Sequence, residues 1–112
     1  MAKLIDIISP LYQELLKKCE KRKISVNLDI QDLTLSIDNI EAVEKFYATE
    51  IRRALKLCEN GDKITISQNS NRFSVKNSSK TTLDADTVAK LRDDGLEVRA
   101  RFGYDTIITL KI

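Results

Sequence analysis

The 112-residue sequence contains no histidine, one proline, three glycines and two cysteines. Without histidine there is no imidazole to act as a general base near neutral pH, and two lone cysteines cannot complete a zinc site. Cys19 and Cys58 stand singly at apolar positions of helical stretches, so buried free thiols are expected rather than a disulfide framework or a metal centre. The glycines, Gly61, Gly95 and Gly103, are isolated, and a loop that cradles phosphates with backbone amides needs them clustered. No apolar run approaches membrane length, and Asp6 interrupts the stretch that a secretory signal would need. A cytoplasmic location without a membrane partner is therefore the expectation. A net charge of +2 is too small to argue for nucleic acid.

What is present is the material of one globular domain, residues 1–112. Apolar residues make up 42% and charged residues 32%, enough of the former for a single modest core. Leu11, Leu15 and Cys19, flanked by Tyr12 and Leu16, predict an amphipathic helix over about 10–22, with Ser9-Pro10 suited to its first turn. Leu4 to Ile8 reads either as an extended lead-in or as an extra turn kinked at Pro10. Lys17, Lys18, Lys21, Arg22 and Lys23 then crowd the end of the helix, where cations face its negative pole and solvent. Ile24, Val26, Leu28 and Ile30 alternate with polar residues as a half-buried strand does, and Leu33, Leu35 and Ile37 repeat this more weakly.

Ile40, Val43, Tyr47, Ile51, Ala54 and Cys58 recur at spacings of three and four, predicting a central helix. Asp38 and Glu41 fit a capping box at its start, and Asn60-Gly61 a left-handed stop. Ile64 with Ile66 and Phe73 with Val75 predict a hairpin around Gln68 to Asn71. A small helix over about 84–93 closes at Gly95. Leu96, Val98, Ala100 and Phe102 form the next strand, and Thr106 to Ile112 the last. This order predicts an α/β (α+β) two-layer sandwich, with the helices on one face of a mixed, mainly antiparallel sheet.

Ile24 to Ile30, Asp38, the helix with Glu50-Ile51-Arg52-Arg53-Ala54-Leu55-Lys56, Gly61 to Ile66, and Gly103-x-x-Thr106 resemble in order and spacing the ATP-binding domain of sensor histidine kinases. Gyrases, heat-shock chaperones and mismatch-repair proteins share that domain. The resemblance covers nearly the whole chain and implies a nucleotide pocket at Thr49, Arg53, Asn77 and Thr106. It also shows what has changed. Where the family presents two polar residues one turn apart, the second an asparagine that reaches magnesium, this chain has Thr49 and Arg53, and a guanidinium has no lone pair for a cation. Where the family has an Asp-x-Gly-x-Gly turn that receives adenine, this chain has Asn77-Ser78-Ser79-Lys80-Thr81. The few residues between Asn77 and Asp84 leave no room for the family's glycine-ended lid.

The pocket is therefore expected to be vestigial, with no catalytic residues, no metal and no cofactor. The expected function is a non-catalytic, histidine-kinase-like module for protein interaction or regulation in bacterial-type signalling. The alternative is a nucleotide-binding domain that takes ATP and magnesium through an atypical site. Asp84, Asp86, Asp93 and Asp94 read as caps and solvated ends of the small helix. Arg99, Arg101 and Lys111 share a sheet face where only Tyr104 could stack a base, so nucleic acid is not expected. A protein partner or a second copy is expected on the stripe Leu4, Ile8, Leu11 and Leu15, part of which is then predicted to stay exposed; the alternative is that the whole stripe folds back onto the chain's own core.

Overall fold

The computed structural model describes residues 2–79, 83–100 and 106–112. In chain order the elements are β1 (Ala2–Lys3), α1 (Leu4–Lys21), β2 (Ser25–Asp29), β3 (Thr34–Leu35), α2 (Ile37–Leu57), β4 (Lys63–Asn69), β5 (Arg72–Asn77), α3 (Ala85–Asp93), β6 (Glu97–Ala100) and β7 (Thr106–Lys111). Five strands make one sheet in the order β2-β4-β5-β7-β6, while β1 and β3 form a separate two-stranded ribbon. Among the described residues only β2 and β4 run parallel; the other pairs are antiparallel. The helices cover one face, so the predicted two-layer sandwich is the observed architecture.

The core lies between α1, α2 and that face. Ile64, Ile66, Phe73, Val75, Val98 and Ile108 point inward from the strands. Val43, Phe46, Tyr47, Ile51 and Ala54 meet them from α2. The rings of Phe46 and Phe73 touch edge to face, with centroids 5.8 Å apart. Leu4, Ile8, Leu15 and Cys19 add the buried stripe of α1.

Several local expectations change. α1 begins at Leu4 and runs through Pro10 rather than starting there. Burying Leu4 and Ile8 contributes roughly 3–6 kcal/mol, which outweighs the ~3 kcal/mol cost of an interior proline. The weak strand predicted to reach Ile37 stops at Leu35, because Ile37 is already the first residue of α2 and stands 67% exposed. The cap of α2 is Ser36, whose hydroxyl accepts from the Asn39 amide at 3.3 Å; Asp38 sits in the first turn instead. Asn60-Gly61 is not the stop of that helix. Cys58 ends it in an extended conformation, and Gly61, at φ 89°, shapes the following turn. The β4–β5 turn shortens to Ser70 and Asn71, since Gln68 stays buried in the sheet, accepting from the Gln31 amide and donating to the Ser70 carbonyl. Phe102 and Gly103 lie outside the described residues.

Two ties hold α1 beside α2 in the same direction. Before the helices, Ala2 pairs with Leu35. At their ends, the Arg22 guanidinium donates to the carbonyls of Leu55 and Cys58, each at 2.6 Å. These carbonyls end α2 and point away from its own ladder, so the cation also meets the negative pole of the helix. Replacing Arg22 with alanine is expected to lower stability by about 1–2 kcal/mol, less than two fully buried charged hydrogen bonds because the site is partly wet. Urea unfolding of Arg22→Ala beside the wild type checks this; an unchanged midpoint would show that solvent satisfies the carbonyls equally well.

Candidate functional site

A cleft of about 680 Å³ opens between α2 and α3. Phe46, Leu91, Leu96 and Leu110 supply apolar walls; Lys45, Thr49, Arg53, Thr87 and Lys90 supply the polar ones. Its dominant feature is an ion pair within one helix turn. Arg53 donates through Nη1 to both carboxylate oxygens of Glu50, at 2.5 and 2.6 Å. Glu50 is only 2% exposed, while the Arg53 side chain stays 27% exposed at the rim.

The rotation of α2 produces this pairing. Phe46, Tyr47, Ile51 and Ala54 face the sheet, and Glu50, four residues after Phe46, is carried into the buried layer with them. Arg53, three residues on, reaches back to neutralise it. Burial pushes the Glu50 carboxyl above its ordinary value, and the Arg53 charge and hydrogen bond draw it partly back. Arg53 is thus held within its own turn of α2, by Glu50.

At the start of α3 a second negative group fills a position that could otherwise attract anions. Asp84 caps the helix, its Oδ1 accepting from the Thr87 amide at 2.7 Å. That hydrogen bond holds the Asp84 carboxyl below its ordinary value. Asp86 adds a further carboxylate in the first turn. The reading of Asp84 as a cap of the small helix agrees with this geometry, while Asp86 stands in the first turn without a capping bond among the described residues.

The other two candidate residues meet elsewhere. Asn77 ends β5 and is the register partner of Thr106, the first residue of β7. Both are buried, at 4% and 1% exposure. The Asn77 Oδ1 accepts from the Ser79 amide at 3.2 Å, and the Ser79 hydroxyl donates to the Leu57 carbonyl at 2.7 Å. The Thr106 hydroxyl has no hydrogen-bond partner among the described residues. The four predicted residues therefore form two pairs: Thr49 and Arg53 on the cleft, and Asn77 and Thr106 beside the C-terminal end of α2. Lys80 and Thr81 lie outside the described residues.

Sequence reasoning gave too little weight to Glu50. Its signal was a carboxylate on the apolar stripe of the central helix, at a position that geometry buries. The partner stripe needs a correction. Leu4, Ile8 and Leu15 are buried in the chain's own core, because the early start of α1 lays that side of the helix against the core cluster. Leu11 alone of the four remains half-buried. Among the described residues no group of three or more metal-ligating side chains converges.

The raised Glu50 value fixes a pH dependence. An acid whose folded value lies above its unfolded one binds a proton more readily when folded, so stability falls as pH rises through that interval and returns as pH is lowered. Glu50→Gln is expected to flatten this part of the stability–pH curve. Arg53→Ala is expected to steepen it and to destabilise by ~2–4 kcal/mol near neutrality, by leaving a buried carboxylate unpaired. Urea midpoints across the acid range check both, and parallel curves for all three proteins would contradict the coupling.

No protein-family model and no curated protein matches the sequence. Solved structures do match its fold. The catalytic domain of histidine kinase ThkA, in a nucleotide-free form, superposes with a TM-score of 0.71 at 17% identity, covering 99% of this chain and 96% of that one. The Acinetobacter baumannii histidine kinase AdeS gives 0.64 at 11% identity, over 98% of this chain and 65% of that one. A blue-light-activated histidine kinase of Erythrobacter litoralis has a histidine kinase domain that gives 0.65 at 11% identity, over 94% and 60%. The chain has the fold of a histidine-kinase catalytic, ATP-binding domain.

Proposed function

We propose that this chain is a histidine-kinase-like domain with an atypical nucleotide site, in which the base end survives and the phosphate end is filled by the protein's own side chains. The observation that carries this reading is the buried Asn77–Thr106 pair, whose Thr106 hydroxyl has no hydrogen-bond partner among the described residues. A buried hydroxyl left without a partner costs about 1–3 kcal/mol, and a ligand that hydrogen-bonds it recovers that cost. The Asn77 amide oxygen already accepts one N–H and has a second lone pair for an exocyclic amino group. A purine base offers both complements.

Magnesium-triphosphate does not fit the other end. Arg53 offers no lone pair to a metal and is held by Glu50, while Asp84 occupies the helix terminus whose amides would otherwise face phosphate. With no histidine in the sequence, this chain supplies no phosphoacceptor imidazole. The reading is therefore of a domain that binds a base weakly and transfers nothing.

The Glu50–Arg53 pair also favours a second reading, a non-catalytic interaction or regulatory module in bacterial-type signalling that binds no nucleotide. Thermal shift and calorimetry with adenosine, ADP and ATP, each with and without magnesium, separate the two. On the first reading adenosine stabilises as well as ATP does, magnesium changes nothing, and a ligand at a hundred times its dissociation constant adds about 2.7 kcal/mol. Thr106→Val removes that shift. Absence of any shift moves the assignment to the interaction module, and tight magnesium-dependent ATP binding overturns both readings. Restoring a single metal ligand with Arg53→Asn is not expected to create magnesium-ATP binding, because Asp84 and the missing glycine amides remain.

A further inference from the structure

On the outer side of the helical layer, away from the cleft, a groove of about 300 Å³ runs between α1 and α2. Leu11 and Leu55 lie half-buried along it, with the side chain of Ile51 beneath. Four exposed charges edge it: Glu14 and Lys18 from α1, Glu44 and Arg52 from α2. None of the four has an ion-pair partner among the described residues.

Their order along the groove follows from the two ties that hold the helices side by side in the same direction. Ala2 stands opposite Leu35, and Arg22 reaches Leu55 and Cys58, so a residue of α1 lies level with one some 33–36 positions later in α2. Glu44 is then near the level of Leu11, Glu14 lies below it, and Arg52 and Lys18 come together further down. Both acids sit toward the N-terminal end and both bases toward the C-terminal end. Glu44 and Arg52 are separated by about 12 Å along α2 at 1.5 Å per residue.

We propose that this groove is the face through which two copies of the chain associate, stacked about a two-fold axis perpendicular to the helices. The segregation of charge selects that occupant. A partner of one sign meets repulsion at one end of the groove, whereas a second copy turned end for end places its bases on the first copy's acids and its acids on the first copy's bases. An isologous contact of this kind is self-complementary, and the half-buried Leu11 and Leu55 of each copy meet at its centre. The inference does not rest on the nucleotide reading, since the groove and the cleft lie on opposite sides of α2.

Sedimentation equilibrium of the full chain tests it, with circular dichroism to show that each variant is folded. The wild type is expected to dimerise, with a dissociation constant that rises about tenfold or more between low and high salt. Glu14→Lys with Glu44→Lys makes the rim wholly basic, and Lys18→Glu with Arg52→Glu makes it wholly acidic. Each double variant alone is expected to be monomeric, and an equimolar mixture of the two to form a heterodimer. A wild type that stays monomeric at high concentration overturns the proposal and leaves the groove to a different partner. A dimer that survives both reversals, or variants that fail to associate on mixing, overturns it equally.

Discussion

The contact of α2 with the sheet governs the rest of the molecule. Phe46 against Phe73, with Val43, Tyr47, Ile51 and Ala54 over Ile64, Ile66, Val75 and Ile108, fixes how the helix is rotated about its axis. Every other position on α2 follows from that rotation. Thr49 and Arg53 are turned to the cleft beside α3, Glu44 and Arg52 to the groove beside α1, and Glu50 is drawn into the buried layer. A helix period of 3.6 residues leaves no freedom to move one of these without moving all.

Within the cleft, the strongest polar contact joins two side chains of the chain itself. A buried carboxylate is tolerated only when paired, and among the described residues Glu50 pairs with Arg53. The guanidinium is thereby committed to the protein's own acid. Asp84 caps the start of α3, where its carboxylate answers an exposed amide that an anion would otherwise meet. Two unrelated local features thus commit charged side chains of the chain to partners within it, one in the cleft and one at the start of α3.

The parallel alignment of α1 and α2 depends on a different pair of contacts, the β1–β3 ribbon and the capping of α2 by Arg22. Both lie at helix ends, and between them a groove opens along Leu11 to Lys18 of α1 and Glu44 to Leu55 of α2. Their alignment turns an unremarkable scatter of surface charges into an ordered row, acidic at one end and basic at the other.

The sequence alone determined the fold class, the main helices, the hairpin and the lack of any glycine cluster, because each is written in local periodicity or composition. Ile40, Val43, Tyr47, Ile51 and Ala54 announce a helix whatever surrounds them, and three isolated glycines cannot form a phosphate loop in any fold. The tertiary structure decided the rest. Leu4 and Ile8 could be read as strand or helix until the β1–β3 ribbon and the sheet gave them a surface to cover, which also carried α1 through Pro10. Glu50 reads as solvated in a list of charges and is buried by the rotation of its helix. Asn77 and Thr106, 29 positions apart in the sequence, become partners through the register of β5 on β7. Pairings at such separation depend on which strands meet and in what register, and no local window of sequence contains that information.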